Sequence, residues 1–380
     1  MYACPMETKQ REKHGLAVIW KLCPVRHGLL CAFVPIIVGH LLTRQRHDWM
    51  EALSERIIRP IHRVLAQINA YVPFSAAELL IGLAAALVLG YVAVQLVLLL
   101  TRRERGKRLY RLLITLLTAV LGVYAGFCLL WGTYYYGDNF TEKSGLSEEP
   151  VSVEQLTAVT RYFADLANEY APRVQRDGNG LYCADQAEIL ARSPEVYARA
   201  EELFPCLAGP RVAAKGVRFS RIMSYTDFTG FFFPFTGEAN VNTDYPPGQF
   251  AATVAHELSH QRGVAREQEA NFVAVLACLL YGDPDYCYSA ALLAYVHLGN
   301  ALYAADHEAW EEISFGLDEA VLRDFDADRA YWKQFETPVQ AVSNSVYEGF
   351  LQSYDQTLGL KSYGACVDLL VNYYYRAASA

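Results

Sequence analysis

Two long apolar stretches separated by a short basic loop limit what this chain can fold into more than any other feature. Residues 76–100 carry one acid, Glu78, near their start and are otherwise almost wholly apolar, and residues 112–136 carry no charge. As helices rising ~1.5 Å per residue, each is long enough to cross the ~30 Å hydrocarbon layer of a bilayer. The second stretch closes with Trp131, Tyr134, Tyr135 and Tyr136, amphipathic aromatics of the kind expected at a membrane surface. A shorter run, 28–42, holds Pro35 and His40 and is a candidate third span or a signal-like segment. Between the long stretches crowd Arg102, Arg103, Arg105, Lys107, Arg108 and Arg111, which places that loop in the cytoplasm. Everything after about residue 137 is then delivered to the outer side. With a third span, Lys9, Arg11 and Lys13 near the N-terminus lie inside.

This frame predicts a membrane region, 1–136, with two or three transmembrane helices, and an extracytoplasmic domain, 137–380. Segment 43–75 falls on the outer side in spite of Arg44, Arg46, Arg56, Arg59 and Arg63. Its run WMEALSERIIRPIHRVLAQI reads either as an amphipathic helix along the membrane surface or as an ordinary connecting helix. The net charge of −8 and the acidic remainder of the chain argue against nucleic acid as a partner, because phosphate binding needs a basic surface. A transporter is disfavoured too, since no charged residue lies deep in the long spans. Nine cysteines show no CxxC spacing and so form no metal framework. Cys4, Cys23, Cys31 and Cys128 lie in or near the apolar segments, and Cys183 and Cys206 are candidates for a disulfide.

From residue 150 the pattern is mainly α with a small β region. SVEQLTAVTRYFADLANEYA has apolar positions at helical spacing behind a Ser cap. Residues 215–245 are rich in aromatics, β-branched residues, Gly and Pro, and predict short strands and turns. Helical pattern returns after Pro247, with breaks near Gly282–Pro284 and around 336–338.

The chemistry lies in AATVAHELSHQRGVAREQEANFVAVLACLL, residues 251–280. On a helix, His256 and His260 share a face and can offer ring nitrogens to one divalent ion. Glu257 follows the first histidine, beside the open position of such an ion, where a general base belongs. Gly263 tolerates the left-handed conformation that ends a helix. A second helix starting near Ala265 would return Glu267 or Glu269 toward the metal, and being two apart, only one of them can reach it. Glu267 shares a stripe of mostly small residues with Ala270, Asn271, Ala274 and Ala277, opposite Phe272, Val275, Leu276, Leu279 and Leu280, which favours Glu267. Asn271 is then placed to hold the free ring N–H of one histidine.

HELSH followed by EQEAN resembles the zincin metallopeptidases of the gluzincin type, where HExxH lies on one helix and a glutamate from the next completes the zinc site. The resemblance implies a zincin-like α+β metallopeptidase domain, Zn²⁺ as cofactor, His256, His260 and Glu267 as ligands, and Glu257 as base. Six residues separate His260 from Glu267, fewer than in familiar gluzincins and closer to metzincin spacing, although Arg266 stands where a metzincin has its third histidine. The longer pattern from FFFPFTGEANVN through HELSHQRGVAREQEANF, behind the apolar spans, is also similar to a family of bacterial multi-pass membrane proteins described as a domain of unknown function. That similarity covers most of the chain and implies no substrate.

The expected activity is a membrane-anchored, zinc-dependent hydrolase acting on a peptide or protein. The competing class is a non-catalytic envelope receptor or assembly factor with a structural or vestigial zinc site. By the zincin resemblance, strands in 228–242 offer an edge along which an extended peptide can pair, although FFFPF reads equally as core or membrane-facing packing. Glu238, Asn240 and Asn242 either line the cleft or serve turns. His297 and His307 read as ordinary helix residues. The group that stabilises the tetrahedral intermediate stays unassigned among 26 tyrosines, Tyr295, Tyr354 and Tyr363 included.

Overall fold

The computed structural model describes residues 20–146, 149–354 and 364–379. Cys4, Lys9, Arg11, Lys13 and Tyr363 lie outside the described residues. Helix α1 (Pro24–Thr43) opens on a proline at its first turn and runs unbroken through Pro35, a favoured start because that N–H has no helical partner anyway. Helix α2 (His47–Leu53) passes through a π-helical turn, Ser54–Ile58, into α3 (Arg59–Asn69). The widened turn falls just before Pro60, whose ring removes an N–H from the ladder.

Helix α4 (Ala76–Thr101) starts at Ser75, whose hydroxyl accepts the Glu78 N–H, and α5 is Arg105–Leu130. Helices α1, α4 and α5 are each long and apolar enough to cross a membrane. Tyr91 of α4 bonds Thr115 of α5, His27 of α1 bonds Tyr110 of α5, and Phe33 packs on Gly122. Thus α1 and α5 run the same way and α4 runs back.

One expectation is corrected at the end of α5. The helix stops at Leu130, and Gly132–Tyr136 forms a 3-10 turn. Trp131, Tyr134 and Tyr135 are buried, in a cluster with Ile58, Ala265 and Tyr354. The protein itself therefore covers these rings, because the turn docks into the following domain.

That domain is helical with one small sheet. Helix α6 (Phe140–Ser144) and α7 (Val153–Tyr170) each begin with a capping box, Asn139/Glu142 and Ser152/Gln155, which satisfies N–H groups a helix start leaves open. Then follow α8 (Gln186–Arg192), α9 (Ala198–Leu203), β1 (Lys215–Val217), α10 (Ser220–Tyr225), β2 (Gly230–Phe233) and β3 (Glu238–Asn242). Central β3 pairs parallel with β1 and antiparallel with β2, so β2 is an edge strand. Helices α11 (Phe250–Gln261), α12 (Glu267–Tyr281), α13 (Pro284–Ala305), α14 (His307–Phe315), α15 (Glu319–Lys333), α16 (Pro338–Ser353) and α17 (Gly364–Ala378) complete the chain. Helix α12 runs through the core, where Phe272, Val275 and Leu276 are buried with Phe163, Leu258 and Leu298. Each such side chain contributes ~1.5–3 kcal/mol relative to exposure.

The sheet is tied to the start of α4. Glu238 accepts the N–H groups of Ala76 and Ala77, at 3.2 and 2.8 Å, and pairs with Lys215. Ser75 donates to Asn240 at 2.6 Å, and Glu78 accepts from the Arg218 and Phe219 N–H groups. Asn242 holds Ser224 and the Phe228 carbonyl. These three side chains serve the fold and do not line the cleft described below. Cys183 and Cys206 are both free thiols: Cys183 follows the Arg176–Tyr182 bridge, whereas Cys206 lies in a turn whose carbonyl Arg59 holds.

Candidate metal centre

Helix α11 ends in a Schellman motif built on Gly263. Its φ is +91°, the Gly263 N–H reaches the His260 carbonyl, and the Val264 N–H reaches that of Ser259, which is how a left-handed residue closes a helix. A Cβ on Gly263 would also stand 2.9 Å from the Tyr134 ring. The turn reverses the chain so that α12 begins at Glu267, and the Val264 carbonyl it exposes bonds His260 Nδ1 at 2.7 Å.

The structure brings His256, His260 and Glu267 together. The two Nε2 atoms are 3.1 Å apart, and Glu267 Oε2 lies 3.1 Å from that of His256 and 3.6 Å from that of His260. Donors ~2.0–2.1 Å from a tetrahedral ion stand about 3.4 Å from one another, so this spacing fits a divalent cation. The outer atoms are engaged elsewhere: His256 Nδ1 bonds Asn271 Oδ1 at 2.8 Å and Tyr347 donates to Glu267 Oε1 at 2.8 Å. Both histidines thus turn Nε2 toward one point, the arrangement by which metal-binding rings are usually held. Glu269 points away from the histidines and accepts the Phe140 and Thr141 N–H groups that begin α6. Among the described residues, His47, Asp138 and Glu142 also approach one another, but on the surface.

Glu257 lies one residue round from His256, against the edge strand. A Cβ on Gly230 would sit 2.5 Å from Glu257 Oε1, so only glycine in β2 admits this carboxylate. Its Oε2 is buried with no hydrogen-bond partner. Burial pushes the Glu257 carboxyl up to about 7, against the pull of His256 and His260. Burial opposes charge on His260 too, but Glu267 outweighs it and raises the imidazole to about 9. Glu267 is held well below its ordinary value, since its two histidine partners outweigh burial.

These groups open into a cleft of about 470 Å³. Its lining includes Phe127 of α5, Trp131 just after that helix and Phe350 of α16, together with Tyr245, Asp328 and Trp332. Burial pushes Asp328 up to about 6. His297 lines the cleft and is driven down to about 4 by burial and then by His256. His307 meets Tyr303 edge-on and Trp310 at a tilt, Tyr295 bonds Ser314, and Tyr354 packs in the cluster with Trp131 and Tyr135. Tyr347 is the residue the sequence does not signal, because its helix lies far along the chain and no local pattern marks it.

His256, His260 and Glu267 form a candidate metal-binding group between two helices, with the Glu257 carboxylate beside it. The chain belongs to the family described as a protein of unknown function, DUF3810, whose model matches residues 53–371. No curated protein and no solved structure gives a match.

Proposed function

We propose that this protein is a membrane-anchored, zinc-dependent hydrolase of the zincin type that cleaves amide bonds in peptides or proteins. The observation that carries this reading is the convergence of His256, His260 and Glu267 within 3.1–3.6 Å beside the unpartnered carboxylate oxygen of Glu257. His256, His260 and Glu267 would hold Zn²⁺, which when bound would supply a Lewis acid able to acidify a water and polarise a carbonyl. Glu257 removes a proton from water and passes it to the leaving amine as the C–N bond breaks. Tyr347 and Asn271 hold Glu267 and His256 in place. The edge of β2, which carries Gly230, offers backbone groups with which an extended substrate can pair. In this reading α1, α4 and α5 cross the bilayer, the basic loop after α4 is cytoplasmic, and the cleft faces the extracytoplasmic side.

The test is metal content and cleavage measured together. Purified full-length protein should hold about one zinc and cut members of a peptide library, and Glu257→Gln should keep the zinc and lose the cutting. Zinc without any cleavage by the wild type would favour the non-catalytic reading.

A further inference from the structure

The run from α2 to α3 carries its side chains the wrong way round for a surface in water. Several of its polar residues face inward, although Arg56 and Gln67 are exposed. Arg59 donates to Glu55 and to the carbonyls of Cys206 and Ala208, Arg63 to Ala208 at 2.6 Å, and Asn69 to Thr236 at 2.9 Å. His62 lies between the rings of Tyr134, Trp131 and Phe232. Four aliphatic residues face outward, while Met50, Ile58 and Ala66 are buried: Ile57, Ile61, Val64 and Ile68 are 53%, 39%, 54% and 59% exposed. Their spacing of four, three and four is that of a helix face that packs on a core. Tyr71 and Phe74, exposed as well, continue the patch to the start of α4.

Three observations identify what covers this face. First, exposed apolar residues continue along the chain into α4, where Leu79, Leu80 and Ile81 are exposed as well. Second, the segment from Leu112 to Leu130 of α5 rises roughly 28 Å at ~1.5 Å per residue, against ~30 Å of hydrocarbon. Its basic first turns account for one headgroup layer, so Trp131 stands at the other, and the Trp131 ring lies 5.9 Å from that of His260. Third, Phe235, in the turn between β2 and β3, packs on Gly126 of α5, so the hairpin that walls the cleft leans on the membrane helix itself.

We infer that α2 and α3 lie in the outer surface of the bilayer with Ile57, Ile61, Val64 and Ile68 in lipid, and that the metal centre works within the headgroup layer on polypeptides anchored in the same bilayer. The substrate class rests on the hydrolase reading; the placement of the helix does not. Phe127 of α5 and the adjoining Trp131 line the cleft, so on this inference a chain emerging from lipid beside α5 enters at that side and reaches the donors within its first residues outside.

The placement is tested by photo-crosslinking full-length protein in phosphatidylcholine–phosphatidylglycerol vesicles, with benzoylphenylalanine at Ile61 or Val64 and, as control, at exposed Phe315. Lipid adducts at Ile61 and Val64 and none at Phe315 are expected. Crosslinks to a second copy, or no adduct at any position, overturn the inference. The substrate class is tested with one acyl-anchored peptide carrying the same cleavable sequence near, midway and far from its anchor, alongside the free peptide. Cleavage at the near copy at least tenfold faster than at the far copy is expected. Equal cleavage at all copies, or cleavage of the free peptide alone, overturns the substrate class and leaves the hydrolase reading standing. If the zinc-loaded protein cuts neither form, the hydrolase reading fails and takes the substrate class with it, while the crosslinks still decide where the helix lies.

Discussion

Helices α3 and α12 both carry polar side chains on one face and aliphatic ones on the other, and the protein uses them in opposite senses. Helix α12 sinks Phe272, Val275 and Leu276 into the core and keeps Glu267 and Asn271 at the cleft. Helix α3 turns Arg59 and His62 inward and Ile61, Val64 and Ile68 outward. One rule serves both: a polar group goes where a partner satisfies it. For Glu267 the partners are His256, His260 and Tyr347, and for Arg59 they are Glu55 and two backbone carbonyls. The two helices differ in what lies on their apolar side, protein core for α12 and, on our inference, lipid for α3.

If the polar face at α11 and α12 exists for chemistry, Glu257→Gln should lower hydrolysis by about 10²–10⁴-fold, the share a general base contributes, with zinc content unchanged. Retained turnover in a zinc-loaded Glu257→Gln protein would remove that carboxylate from the reaction. The inward face of α3 is sharpened by pH. Burial holds folded His62 down at about 4, against ~6.5 when unfolded. The unfolded chain therefore takes up a proton that the folded chain refuses. Stability from this group is full above about pH 6.5 and falls as pH drops toward 4, by at most about 3 kcal/mol. Denaturant midpoints of wild type and His62→Gln at pH 7 and 4.5 should show the larger pH dependence in the wild type, and parallel losses would reject the assignment.

The support that α12 gives the site is probed by Asn271→Ala, which should weaken zinc binding by about 10–100-fold, as loss of a ring-orienting partner does; competition with a chelator reads this directly. The smallest effect concerns the turn that joins α11 to α12. Gly263→Ala places a side chain at a φ of +91° and should cost about 1–2 kcal/mol, more if Tyr134 cannot yield. Gly178→Ala, at an open position with nothing within 4 Å, is the control in the same thermal melt and should be near neutral.

The proximity of His256, His260 and Glu267 was legible because each step toward it is local. Four residues are one helical turn, Gly263 ends the helix, and six residues bring the chain back. The strands in 215–245 and the Ser152 cap were readable for the same reason, through turn chemistry and capping. The fate of the aromatics after α5 was not. Trp131, Tyr134 and Tyr135 match a membrane-surface pattern, and whether lipid headgroups or protein cover such rings depends on Ile58, Ala265 and Tyr354, far away in sequence.

From the sequence alone came three apolar segments, a mainly helical domain behind them and a turn that returns an acid to two histidines, since hydropathy, helical period and glycine φ act over a few residues. Only tertiary structure decided that Tyr347 steadies Glu267, that Gly230 makes room for Glu257, that Glu238 caps the apolar helix α4 instead of lining the cleft, and that α3 faces its isoleucines outward. Each of those depends on a partner dozens of residues or more away in the chain, and burial and hydrogen bonding select such partners only when the whole chain packs.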